Sequence, residues 1–351
     1  ETGLDGDARE PTGRFTLAYD GTSPRFATPA AHVGTGAAVL GRASIGRSAW
    51  LGARSVIRAD GHYVRIGDDF RLGARGTVHI AHDYLPTHIG NGVTAGANSV
   101  IHACDVGDHC HIGRDVVILD GSRLAAECVL ADGSIVFPRS ALEGGWLYER
   151  APAKPVRRLE PGQLSALHEA SRAAPDELAD GTAWVPHFPS GEPLFIAFSA
   201  RLRGSVAFEG DNGIWFGCDL DAGDHEIRIG RGTNIQDNTV IRCTGQSVLI
   251  GHETTIGHNV MMTDCEVGDR SLIGMGSVVA AQTIVEDDVL LAAGAQTVQG
   301  QTLESGWLYG GSPARQLARL DKAKRTIIEL TWPTYISYAH RFAAAAMAHP
   351  V

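Results

Sequence analysis

The sequence has 351 residues, room for about two domains at roughly 150 residues each. Glycine accounts for 43 positions and proline for only 15; with no Gly-X-Y period, this glycine excess over the usual share of roughly 7% excludes collagen and simple disorder. A net charge of −10 argues against nucleic acid as a partner, and no apolar run approaches the ~20 residues that would span a bilayer.

Six cysteines (Cys104, Cys110, Cys128, Cys218, Cys243 and Cys265) never form C-x-x-C, so neither a zinc ribbon nor a disulfide framework is expected. A reducing cytoplasm is the expected compartment. The chain opens on Glu1, so a leader or the first codons are expected to have been removed, and no signal peptide is read.

Taken in chain order, the first predicted element is a ladder of aliphatics six residues apart: Val33, Val39, Ile45, Leu51 and Ile57. It resumes at Ile66 and Leu72, then at Ile89, Ala95 and Ile101, and after a one-residue slip at Val106, Ile112, Ile118, Leu124, Leu130, Val136 and Leu142. A helix is predicted from Glu160 to Ala173, and a proline-bearing linker over 174–192. A second ladder follows: Ile229, Ile235, Ile241, Ile250, Ile256 and Met262, then after the matching slip Val267, Ile273, Val279, Val285, Leu291, Thr297 and Leu303. A second helix is predicted from Asp321 to Glu329, ended by Trp332-Pro333, with an alanine-rich stretch from Ala339 to His349.

The halves are copies. Leu142-Glu143-Gly144-Gly145-Trp146-Leu147-Tyr148 recurs 161 residues later as Leu303-Glu304-Ser305-Gly306-Trp307-Leu308-Tyr309, and Ala151-Pro152-Ala153-Lys154 recurs as Ser312-Pro313-Ala314-Arg315. A period of six is neither helical nor that of a simple strand. It is the signature of a parallel β-helix. Each hexapeptide makes one short strand and one corner, its aliphatic points into a narrow prism, and the following glycine or small polar residue is expected to take the turn at positive φ. The predicted fold is mainly β: two parallel β-helix domains in tandem, roughly 28–145 and 193–306, each with a C-terminal α-helix. The domain bounds are 28–173 and 193–351. Trp146 and Trp307 are expected to seal the bases of the prisms.

Specific strings narrow the reading. Val56-Ile57-Arg58-Ala59-Asp60, Asn234-Ile235-Gln236-Asp237-Asn238 and Ile256-Gly257-His258-Asn259-Val260, each in a β-helix followed by Pro-Ala-[Lys/Arg] and a helix, resemble segments of the gamma-class carbonic anhydrases and their hexapeptide relatives. The resemblance covers both copies and implies left-handed coils. It also implies a metal held by three histidines, two from one body and one from its neighbour. In the first copy His79 and His102 match two of these places, and Ala97 stands in the other. In the second copy His258 matches the place lost at Ala97, while Arg242 and Thr263 replace the other two.

The losses are complementary, so one composite site of His79, His102 and His258 is expected where the copies meet side by side. The copies are expected to pair as a pseudo-dimer within one chain or across a homo-oligomer. The resemblance implies zinc, or another divalent metal such as iron or cobalt, and no organic cofactor. Three imidazoles at about 2.0–2.1 Å leave a place for water, whose pKa falls to about 7. The implied activity is attack of that hydroxide on carbon dioxide or a related carbonyl-type small molecule, a lyase reaction. Gln236 and Asn234 survive where the first copy has Gly73 and Arg71, and Gln236 would orient the hydroxide or substrate. Arg58 and Asp60 are expected to brace the interface. His82, beside Asp83, is a candidate proton shuttle. His109 and His111 are expected to decorate a corner, and Cys104 and Cys265 to be small packing residues. Two other functions remain open: a hexapeptide acyltransferase using an acyl-thioester donor and a histidine base, or a non-catalytic assembly protein.

Overall fold

Aliphatic side chains from successive coils stack in the bore of each copy. Ile57 is in register with Val78, Val78 with Ile101, Ile101 with Ile118, and Ile118 with Val136, and all five are 0% exposed. Burying each such side chain is worth about 1.5–3 kcal/mol. The computed structural model describes residues 15–176 and 190–344, and in both spans it is a parallel β-solenoid of the left-handed hexapeptide type. The first copy starts earlier than the ladder suggests, because Thr16–Leu17 and Arg25–Phe26 pair in parallel with Ala38–Ile45.

Each copy has three faces. The first carries Arg71–Leu72 and Thr94–Ala95 in copy one, and Asn234–Ile235 and Thr255–Ile256 in copy two. The second carries Thr77–His79 and Val100–His102, and in copy two Val240–Arg242 and Met261–Thr263. The long strands Val56–Ile66 and Asp219–Ile229 run on into the third face, so the second and third faces of each copy form one sheet.

The glycines that follow the aliphatics do not take the positive φ expected of them. At Gly73 a Cβ would stand 2.5 Å from the backbone nitrogen of Ala97 in the next coil, so the residue is needed for close approach. The left-handed conformation falls two residues later, on Arg54, Asp69, Arg75, Asn98 and His109 among others, at φ of 55 to 58°. A polar ladder satisfies backbone amides at one corner. Asp68 accepts from the Arg47 amide at 2.7 Å, Asn91 from Asp68 at 2.9 Å, and Asp108 from Asn91 at 2.7 Å.

Neither tryptophan closes its prism alone. Trp146–Glu149 pairs antiparallel with Lys154–Arg158, and Trp307–Gly310 with Arg315–Arg319. These hairpins cover the exposed edge, with Arg158 4.4 Å over the Trp146 ring and Arg319 4.0 Å over Trp307.

The first helix, α1, spans Gln163–Ala173. His168 on α1 bonds Thr94 at 3.1 Å and reaches the His109 carbonyl at 3.0 Å, and His111 also bonds Thr94, at 2.8 Å. His111 thus helps to anchor α1 through Thr94, whereas the His109 side chain is exposed at its corner and only its carbonyl meets the helix. The second helix, α2, spans Lys322–Ala344 and runs straight through Pro333, where the sequence suggested a stop. Proline removes one helical hydrogen bond, but Tyr335, Tyr338, Ala339 and Phe342 beyond it are buried against copy two. Tertiary packing of this kind sustains helices that propensity alone would end. Most of the expected linker, and the alanine-rich stretch past Ala344, lie outside the described residues.

The copies lie side by side within one chain. The second face of copy one meets the first face of copy two in three layers. At one end Tyr19, Ala38, Leu40 and Val56 join a cluster with Phe195, Trp215, Phe216 and Phe342. At the other, Val100, Val117, Leu119 and Ile135 pack on Met275 and Ala293. The backbones come close here, since a Cβ on Gly276 would be 2.6 Å from Cγ2 of Val117. Hydrogen bonds tie the corners together, including Thr77 to Asn259 at 2.7 Å, Asn259 to Asn98 at 2.8 Å and Asn238 to Thr77 at 2.9 Å. The middle layer is polar.

Candidate metal centre

Two adjacent strands and one corner build this polar layer. Thr77–His79 and Val100–His102 pair with His79 opposite His102, and their ring centroids are 5.2 Å apart. His258 follows strand Thr255–Ile256 of copy two at the corner facing them. Its ring lies 4.9 Å from that of His79 and 5.8 Å from that of His102. One nitrogen from each lies within 4.8 Å of the others, and all three histidines are buried. The 23 residues from His79 to His102 do not separate them, because the coil returns the chain to the same edge one layer on.

Each histidine has its own carboxylate. Asp60 Oδ1 is 3.0 Å from His79 Nε2, Asp120 Oδ1 is 2.5 Å from His102 Nδ1, and Asp237 Oδ2 is 3.1 Å from His258 Nδ1. His79 Nε2 lies 3.0 Å from Asp60 Oδ1 and 3.1 Å from Arg58 Nε, and its other ring nitrogen, the buried Nδ1, has no hydrogen-bond partner in the protein. An unpartnered buried ring nitrogen among three imidazoles, each beside a carboxylate, fits a divalent metal of the borderline class. Among the described residues there is no second cluster of this kind.

The hexapeptide repeat of succinyl-transferase matches residues 63–103, 247–281 and 266–296. Protein YrdA of Escherichia coli K12 is 35% identical over 164 residues, covering 44% of this chain and 89% of that protein. Gamma carbonic anhydrase 2, mitochondrial, of Arabidopsis thaliana is 33% identical over 153 residues, covering 42% of this chain and 55% of that protein. The chain belongs to the hexapeptide-repeat family of gamma carbonic anhydrase-like proteins. It spans just over half the length of its plant relatives. A solved structure described as a putative acetyltransferase from Desulfovibrio desulfuricans G20 is similar in fold across 93% of this chain and 81% of its own, with a TM-score of 0.56 at 13% identity.

Within this family frame, the other residues singled out from the sequence fall around the three histidines. Arg58 is wholly buried and spans the two copies. Its Nε lies 2.9 Å from Asp60, its Nη1 donates to Asp237 at 2.8 Å, and its guanidinium sits 4.3 Å over the Trp215 ring. Gln236 and His79 line the same cleft, and Gln236 Nε2 lies 3.4 Å from Asn234 Oδ1. Asn234 is one step further back, donates to Thr255 at 3.0 Å and is not among the described residues lining the cleft. His82 lines the cleft mouth and bonds the Tyr338 hydroxyl at 3.2 Å.

The electrostatics favour neutral imidazoles at His79 and His258. Burial, then the nearby Arg58 charge, drives the His79 pKa well below its usual value. Burial also holds His258 down to about 4, against the opposing pull of Asp237. Burial resists ionisation of Asp237, but Arg58, His258 and His79 outweigh it and keep its pKa below the usual carboxylate value. A neutral ring with a free lone pair is the form a metal takes.

The lost places are filled by other chemistry. Arg71 stacks on Trp50 at 3.4 Å and donates to the Ala174 carbonyl at 2.7 Å, under α1 and beside Ala97. In copy two Arg242 pairs with Asp219 at 2.9 Å, and Asp219 also holds Arg54 of copy one at 3.0 Å.

Sequence reasoning missed Asp120, Asp237 and Tyr335. Asp120 follows the strand that pairs with Val100–His102, where Val100 lies opposite Val117 and Ile101 opposite Ile118, and it reaches that histidine from the next coil. Asp237 was inside a quoted segment but given no role. Tyr335, whose hydroxyl is 3.3 Å from His258 Nε2, lies beyond the proline where the helix was expected to end.

Proposed function

We propose that this chain is a metal-dependent enzyme of gamma carbonic anhydrase type, a lyase whose one site is shared between its two halves. His79 and His102 of the first copy and His258 of the second would hold one divalent ion, zinc by preference, with iron or cobalt as alternatives. The observation that carries this reading is the convergence of three buried histidines within 4.8 Å, each beside its own carboxylate. When bound, such an ion polarises a carbonyl oxygen and brings the pKa of a water to about 7.

The chain's own residues do the rest. Asp60, Asp120 and Asp237 fix ring orientation and tautomer. Arg58 neutralises Asp60 and Asp237, which would otherwise be two buried anions. Gln236 orients the small carbonyl-type substrate through its side-chain amide. His82 and Tyr338 at the cleft mouth form a path by which a proton leaves toward solvent. Two features weigh against the alternatives. A chain that had kept only the fold would have no need of three converging buried histidines, each beside its own carboxylate. An acyl-thioester donor carrying phosphates would seek cationic side chains, and none of the described residues lining the cleft is Lys or Arg.

The test is stopped-flow carbon dioxide hydration by zinc-loaded protein beside elemental analysis of the same sample. About one metal per chain with hydration above the uncatalysed rate supports the reading. A protein that takes up no metal from zinc, iron or cobalt would end it.

A further inference from the structure

The cleft over His79 and His102 is far larger than carbon dioxide requires. Its volume is about 450 Å³. That is within the range of pockets that enclose organic ligands of many atoms, about 300–1,000 Å³.

Its chemistry is graded. The floor is polar, with His79, His102 and Gln236. The walls are apolar and come from both copies and from α2: Leu119 and Phe137 on one side, Met275, Leu290 and Leu308 on the other, and Ile327 of α2 at the rim. Phe137 is 44% exposed and Ile327 is 53% exposed, so the apolar lining continues to the mouth. A lone exposed hydrophobe needs no explanation, but a continuous apolar wall leading from a reactive floor does. Among the described residues of the lining, Asp120 is the one acidic side chain, and it is paired with His102.

We propose that the substrate is a neutral carboxylic ester with an apolar acyl chain. The carbonyl sits at the histidine floor and the chain lies along the Leu119, Met275, Leu290 and Ile327 walls. The inference rests on the metal-site reading above and names its substrate class. In the reaction a water oxygen bonds to the acyl carbon and the bond from that carbon to the alkoxy oxygen breaks. One water proton goes to the departing alcohol and the other to solvent. Ester and water give carboxylate, alcohol and one proton, with no other reactant. Gln236 holds the carbonyl end, and the walls exclude water from the chain.

The experiment uses the full chain and two readouts. First, p-nitrophenyl esters from acetyl to octanoyl are compared on zinc-loaded protein. The specificity constant should climb with chain length, by up to about fourfold per methylene if each is fully buried. Second, calorimetry compares acetohydroxamate with octanohydroxamate on zinc-loaded and on metal-free protein. The octanoyl compound should bind at least tenfold tighter on the loaded protein, and its tail should still give detectable binding on the metal-free one. Leu290→Trp should flatten both series while metal content stays at about one zinc per chain. Ile327→Trp, at an exposed rim position, is the second variant should the first misfold. Full metal content with flat chain-length series in both readouts would overturn the ester proposal and leave the metal site standing. Loss of metal binding with a retained tail preference would instead locate the failure in the metal reading.

Discussion

Arg58 of the first copy donates to Asp237 of the second at 2.8 Å, and neither side chain has any exposure to solvent. This one contact joins the two halves and neutralises a carboxylate that faces His258. Arg58→Met should therefore leave both Asp60 and Asp237 buried without their counter-charge. The expected cost is about 3–5 kcal/mol, the usual effect of breaking a buried pair by removing one partner. Chemical denaturation measures it. Adding Asp237→Asn to that variant should recover part of the loss, and strict additivity of the two would contradict a direct coupling.

Metal content should depend on both copies. His79→Ala, His102→Ala and His258→Ala should each abolish tight zinc binding, since two ligands do not hold the ion as three do. Arg242→Ala and Thr263→Ala should keep about one zinc per chain. Elemental analysis after dialysis reads this directly. Retention of metal by the His258 variant would mean that the second copy contributes no ligand.

Gln236→Leu separates holding the ion from using it. The variant should retain metal, because Gln236 is not among the converging nitrogens. Its turnover should fall by about ten- to a hundredfold, as is typical when a group supporting a metal site is lost. An unchanged kcat would remove Gln236 from the mechanism.

The metal-free protein should be acid-sensitive in a defined window. His258 is held near a pKa of about 4 when folded, against 6.5 for a free histidine. Between these values the unfolded chain binds more protons, so stability falls as pH drops from about 6.5 toward 4. Above 6.5 this contribution is complete and flat. His258 alone accounts for about 3 kcal/mol across the window, and His79, displaced in the same direction, adds to it. Thermal melts at a series of pH values should show the slope, and His258→Gln should make it shallower. Equal slopes in the two proteins would show that His258 is not buried neutral.

The coil architecture was legible because one aliphatic per hexapeptide is a geometric demand that the chain meets in nearly every repeat. The histidine trio was legible for a different reason: Ala97, Arg242 and Thr263 mark by contrast the places that His258, His79 and His102 still fill. What surrounds the trio was less so. Asp120 reaches His102 from the coil above, a relation visible only once the coil length is fixed at that point. Tyr335 reaches His258 because packing against Trp215, at 5.4 Å between rings, carries α2 past Pro333, and local propensity contains no sign of it. The glycine positions were read correctly as repeat markers but for the wrong physical reason, since contact between coils is invisible in a single hexapeptide.

Both halves of the histidine cluster belong to one polypeptide, and this changes the thermodynamics of assembling it. A site shared between separate subunits falls apart on dilution below their dissociation constant. Here the second half is always present at the effective concentration set by its tether, which for short connections is in the millimolar range. Assembly is then a unimolecular step, and its yield is independent of how scarce the protein is. Covalent linkage also fixes the ratio of the two halves at one to one, so neither can accumulate without its complement.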